Sequence, residues 1–166
     1  MPDRQDSEFK CERCGSDVKD EDQFCPSCGA IFKEGLVCFR HNSTPAEGVC
    51  VICSKPYCHH CGALVNKIFL CDPHSEYECY EGMARVFGHF DNLQAQPATN
   101  CLSQTGLHPF LYSRHVNPLP DRPMTAIPRL YGRHTIAEMK VLVPFAEVLE
   151  AEKVLSEVGL TSIEQE

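Results

Sequence analysis

Between Cys38 and His74 the chain reads CFRH, CVIC, CHHC and CDPH, four pairs of metal-ligating side chains, each pair separated by two residues. The pairs are Cys38/His41, Cys50/Cys53, Cys58/Cys61 and Cys71/His74. A ligand-x-x-ligand turn lets two side chains converge on one ion, and a tetrahedral zinc site needs two such turns. Four turns therefore predict two zinc sites. Upstream, Cys11/Cys14 and Cys25/Cys28 repeat the spacing, each pair followed by a glycine, Gly15 or Gly29. They predict a third site made of four thiolates. A catalytic zinc keeps one coordination position open, whereas these sets offer four protein ligands each, so the chemistry they imply is structural.

The four-pair stretch resembles a B-box zinc finger, in which Cys-x2-His is followed by two Cys-x2-Cys pairs and a last pair ending in His. That resemblance implies interleaved sites. Cys38, His41, Cys58 and Cys61 would hold one zinc, and Cys50, Cys53, Cys71 and His74 the other. Spacing alone also allows sequential sites, Cys38/His41/Cys50/Cys53 and Cys58/Cys61/Cys71/His74. The ending departs from the commonest B-box pattern, which closes on two histidines. His59 and His60 are alternative donors, but Cys61 already completes the x2 spacing, and the plain reading makes both exposed loop histidines. Residues 9–32, FKCERCGSDVKDEDQFCPSCGAIF, resemble the prokaryotic zinc-ribbon domain in their order of CxxCG, acidic turn and FCxxCG. The expected ligands are Cys11, Cys14, Cys25 and Cys28, with iron as the alternative ion because four thiolates suit it too. Glycine after each pair tolerates the positive φ that turns backbone amides toward sulfur. Phe24 and Phe32 are expected to cover the metal, and Lys10, Arg13 and Lys33 to lie on a mixed, solvated surface.

The elements that position these ligands are small. The chain of 166 residues crowds 11 of its 12 cysteines into the first half, which suggests metal modules followed by one ordinary domain. The expected division is a tail at 1–8, a ribbon at 9–34, a double-zinc finger at 36–76, a linker at 77–83, an α/β domain at 84–160 and a tail at 161–166. The polar start MPDRQDSEFK has no hydrophobic export signal, so paired cysteines favour metal over disulfides and a cytoplasmic protein. No apolar run reaches membrane-spanning length, so no membrane partner is expected. Ten ligand thiolates against three divalent ions would lower the formal charge from −8 to about −12. Such a balance disfavours nucleic acid, whose phosphates need clustered Lys and Arg. Cys79 lies outside any x2 pair and reads as a thiol rather than a ligand. Ribbon and finger, joined near Gly35, are expected to stack as one metal-rich unit.

Val49, Val51, Ile52, Tyr57, Leu64, Val65, Ile68 and Phe69 supply the expected finger core. After Met83 the metal pairs vanish. ARVFGHF predicts a strand with Val86 and Phe90 inward. Asp91 then caps a helix through LQAQPATNCLSQ that ends at Gly106, with Pro97 delaying its start or kinking it. Cys101 on that helix reads as a small core residue. LHPFLYSRH predicts a second strand, and 117–137 a proline-rich insertion with a short strand around residues 126–130. MKVLVPF is a third strand, apolar on both faces. The last helix runs from Phe145 to Val158, with Val148, Ala151, Leu155 and Val158 on its apolar face and Gly159 as its stop.

Strand, helix, strand, excursion, strand, helix suggests a small α+β ferredoxin-like sandwich. VFGHFDNLQAQ, LSQTGLHPFLYS and KVLVPFAEVLEAEKVLSEVGL resemble a putative prokaryotic signal-transducing domain related in fold to the PII-like proteins. No nucleophile elbow, P-loop, dinucleotide-binding glycine pattern or HExxH occurs. His89, His108, His115 and His134 lack ligand spacing; a fourth site would need them to meet Cys101 in space. The expected protein is a non-catalytic interaction or signalling adaptor, holding three structural zinc ions and binding a protein partner or a small effector. The alternatives are a ubiquitin-ligase-like B-box protein and a zinc-ribbon nucleic-acid regulator.

Overall fold

Two- to four-residue strands carry the cysteine pairs in the N-terminal half, and a larger sheet with two helices forms the C-terminal half. The computed structural model describes residues 8–89, 92–113 and 138–160. The chain divides into two units, Met1–Glu78 and Cys79–Glu166.

In the ribbon, β1 (Glu8–Lys10) pairs antiparallel with β2 (Asp17–Lys19), Phe9 opposite Val18, and β1 runs directly into Cys11. Cys11, Val18, Cys25, Cys28 and Ala30 form its buried cluster, with Phe32 packed against it. Phe9 meets Phe32 edge to face at 5.2 Å. Phe24 pairs across the second knuckle with Ile31 and is partly buried. Three of the five clustered residues are cysteines, so the apolar core is too small to hold the fold without metal.

In the finger, β3 (Gly48–Val49) pairs with β4 (Pro56–Tyr57), and β5 (Gly62–Val65) with β6 (Ile68–Cys71). Asn66 and Lys67 join β5 to β6 with φ of 51° and 70°, the two left-handed positions of a type I′ hairpin turn. A 3-10 turn, Asp72–His74, follows β6 and turns His74 back toward it. Val49, Val51, Ile52, Tyr57, Phe69 and Leu70 are buried. Leu64, expected in this core, is instead 55 % exposed. It sits near the tip of a two-stranded hairpin, where no second layer covers it.

The C-terminal sheet has the order β7-β8-β10-β9, antiparallel throughout, with β7 (Cys79–Tyr80), β8 (Met83–His89), β9 (Phe110–Ser113) and β10 (Met139–Pro144). Because β10 is antiparallel to both β8 and β9, those two strands run parallel with β10 between them. The stretch 77–83, expected as a linker, instead contributes β7 and its turn to β8. Glu81 and Gly82 make that turn at φ of 33° and 88°. The register between β8 and β10 shifts between Val141 and Leu142. A bulge of this kind lets consecutive residues share a face, and Val86 and Phe87 are both buried.

Helix α1 spans Asn92–Gln104 and α2 spans Val148–Glu157, the latter preceded by a 3-10 turn, Phe145–Glu147. Pro97 lies inside α1 rather than at a delayed start. Burial of Ala95, Ala98 and Leu102 against the sheet offsets the amide it removes. Cys101, expected in the core, is half-buried beside that face. Both helices end alike. Leu107 donates to the Leu102 carbonyl at 3.1 Å and Leu160 to that of Leu155 at 2.8 Å, each closing a Schellman motif around a glycine. Val148, Ala151 and Leu155 are buried, but Val158 is 52 % exposed, because α2 ends at Glu157 and Val158 already leaves the helical phase. Glu147 clamps the loop before β9. Its carboxylate accepts from the His108 amide at 2.7 Å and lies 2.6 Å from His108 Nδ1. Phe90, Asp91, His115, His134, the strand at 126–130 and the 117–137 insertion fall outside the described residues.

Candidate metal centres

Each ligand pair sits where the chain reverses. In the ribbon, Gly15 donates to the Cys11 carbonyl at 2.7 Å and Gly29 to that of Cys25 at 2.8 Å, so each pair is wrapped by its own tight turn. Ser54 closes the same turn on Cys50 at 2.8 Å in the finger. Cys61 donates to the Cys58 carbonyl at 3.0 Å. These local bonds aim both sulfurs of a pair to one side, which is what x2 spacing accomplishes.

Long-range packing then sets pair against pair. Three groups form among the described residues: Cys11, Cys14, Cys25 and Cys28; Cys38, His41, Cys58 and Cys61; and Cys50, Cys53, Cys71 and His74. Within each group the ligand atoms lie within 4.8 Å of one another. The finger groups interleave; neither finger group is built from consecutive pairs. His59 and His60 enter neither group. Their ring centroids lie 3.8 Å apart with the planes tilted by 44°, and His59 Nδ1 lies 3.2 Å from Glu47. His89, His108, Cys79 and Cys101 join no such group among the described residues.

The spacings fit zinc. Tetrahedral bonds of about 2.3 Å to sulfur and about 2.0 Å to nitrogen require S···S separations of roughly 3.8 Å and S···N separations of roughly 3.5 Å. In the ribbon, Cys11 and Cys28 sulfurs are 3.7 Å apart, and those of Cys14 and Cys25 are 3.5 Å apart. In the first finger group, His41 Nδ1 lies 3.8 Å from Cys38, 3.4 Å from Cys58 and 3.4 Å from Cys61. In the second, His74 Nδ1 lies 3.4 Å from Cys50 and 3.2 Å from Cys71, and Cys53 lies 4.0 Å from Cys71. Both histidines therefore present Nδ1. The chain fits three zinc ions, one per tetrad. Bound zinc would cross-link two turns at each site and supply folding free energy that the small cores lack.

Thiol electrostatics agree with that role. The Cys50 thiol is drawn down to about 4, first by its hydrogen bond with Cys53, then, against burial, by the backbone amides of Cys53 and Cys71 and by His74. Cys53 is pushed up, first by holding the proton of that same bond, then by burial and by the charge on Cys50. Thiols this close cannot all ionise unless a cation lies among them, so metal binding expels protons.

Two contacts around the ligands had no sequence motif. The Tyr57 hydroxyl lies 3.8 Å from Cys53 Sγ, and Ser16 Oγ lies 3.3 Å from Cys14 Sγ. Ser16 follows its cysteine by two residues, a local signal; Tyr57 reaches Cys53 only because β4 folds back. Lys10 faces Asp17 at 4.0 Å, and Lys33 donates to the Glu21 carbonyl at 3.0 Å, so both contact acidic residues of the ribbon itself.

No helix among the described residues is long and apolar enough to cross a membrane. No curated protein and no solved structure matches the chain. Residues 10–32 match the family model described as a zinc-ribbon domain, the segment that holds the first tetrad.

Proposed function

We propose that this protein is a non-catalytic adaptor in which zinc modules form a rigid platform and the C-terminal domain presents a surface to a protein partner or a small effector. The observation that carries this reading is that each tetrad supplies four side-chain ligands, leaving no coordination position for a substrate. The finger is read as B-box-like, supported by its ligand order and interleaved grouping. The C-terminal unit is read as ferredoxin-like and akin to prokaryotic signal-transducing domains. Its parallel β8 and β9 with β10 between them support this, and β7 lies beside β8 where the closing strand of such a sheet belongs.

Cobalt substitution tests the non-catalytic reading. Closed tetrahedral sites give visible d–d bands that added azide or cyanide leaves unchanged. A band shift on anion addition would identify an open site and overturn the proposal. The adaptor role predicts that deleting residues 79–166 abolishes saturable partner binding while zinc content stays at three.

A further inference from the structure

The ribbon and the finger share backbone hydrogen bonds at the metal ligands themselves. The carbonyl of Cys28, a ribbon ligand, accepts from the Phe69 amide at 3.0 Å. The Phe69 carbonyl in turn accepts from Val51 at 3.2 Å, inside the Cys50–Cys53 turn. Beside this path the carbonyl of Gly29 accepts from Val49 at 2.9 Å, one residue before Cys50. The two backbones touch closely there. A Cβ on Gly29 would stand 2.0 Å from the Val49 oxygen and 3.0 Å from Phe69 Cβ.

We infer that the ribbon site and the Cys50/Cys53/Cys71/His74 site load zinc cooperatively, through the Cys28–Phe69–Val51 backbone path and the Gly29–Val49 contact. Without metal, the ribbon loses the order that holds the Cys28 and Gly29 carbonyls in place. The Val49 and Phe69 amides then lose their acceptors, and the Phe69 side chain loses one wall of its seat. Zinc binding at the finger must supply that missing order, so its affinity falls. Linkage makes the effect reciprocal: the finger's metal raises ribbon affinity by the same factor. The inference rests on zinc occupancy of the tetrads and not on the adaptor reading.

Gly15 provides an internal control. Gly15 and Gly29 hold equivalent knuckle positions, with φ of 77° and 74°, yet a Cβ on Gly15 meets nothing within 4 Å. Gly15→Ala carries the conformational strain alone; Gly29→Ala carries the same strain plus the clash with Val49. The experiment uses the full chain, labelled with 15N-histidine and titrated with a zinc chelator. The Nδ1 shift of His74 reports on its own site and that of His41 on the other. Gly29→Ala should release zinc at His74 at about five- to a hundredfold lower chelator concentration than Gly15→Ala. Cys25→Ser, which disables the ribbon site outright, should weaken His74 at least as much. In the reverse direction, Cys71→Ser should weaken ribbon zinc by a similar factor, read by native mass spectrometry. If His74 releases zinc at the same point in Gly29→Ala, Gly15→Ala and Cys25→Ser as in the parent, the sites are independent. If Gly15→Ala and Gly29→Ala weaken His74 equally, the contact with Val49 carries no coupling. Either result overturns the inference.

Discussion

The ring of Phe69 occupies the space that a side chain on Gly48 would need: a Cβ there would fall 2.3 Å from the ring. Gly62 is constrained by the same ring, at 2.9 Å. Phe69 is thus a large side chain of the finger seated between backbones, and it is 3 % exposed. Gly48→Ala should destabilise the finger by about 1–3 kcal/mol through overpacking, and Phe69→Ala by about 3–5 kcal/mol through the cavity it leaves. Denaturant unfolding of the zinc-loaded chain checks both. Equal stability of Gly48→Ala and the parent would mean that the ring has room to move.

Ligand substitutions should separate by position. Cys50→Ser removes one donor of a closed tetrad and should drop metal content from three ions to two or fewer. Cys79→Ser should leave it at three, since Cys79 belongs to no tetrad among the described residues. Native mass spectrometry on protein purified without added zinc reads the count. Equal loss in both variants would contradict the grouping.

The histidines should bind through one defined nitrogen. Nδ1 of His41 and of His74 is the atom that faces the cysteines, so zinc-loaded protein should show metal-bound Nδ1 and protonated Nε2 in both rings. Long-range 1H–15N correlation spectra distinguish the two nitrogens. Metal on Nε2 of either ring would require a different turn after Arg40 or Pro73.

The carboxylate of Glu147 ties the loop before β9 to the 3-10 turn before α2, its side chain 20 % exposed. Glu147→Ala leaves the exposed amide of His108 to water in place of its carboxylate acceptor and should cost about 0.5–1.5 kcal/mol. His108→Ala keeps the amide bond and should cost less, because that ring is 78 % exposed. Thermal unfolding of the two variants gives the order, and a reversed order would place the stabilisation in the ring contact.

The ligand identities were readable because x2 spacing and the following turn are local: Cys11, Cys14 and Gly15 converge whatever the rest of the chain does. The helix stops at Gly106 and Gly159 were local too, as was the apolar strand Val141–Val143. Where a short stretch depended on distant neighbours, reading it in isolation failed. Cys79 and Tyr80 look like linker until β8 folds against them, and Leu64 looks like core until the hairpin leaves its tip uncovered. The sequence by itself determined which atoms could bind metal and how many ions they suit. Only the tertiary structure decided which pairs share an ion. That choice joins residues 17 to 24 positions apart, and interleaved and sequential pairings use identical local turns. What separates them is packing: Phe69 seated among glycines and bonded to Cys28 brings β6, and with it Cys71 and His74, against the Cys50–Cys53 turn.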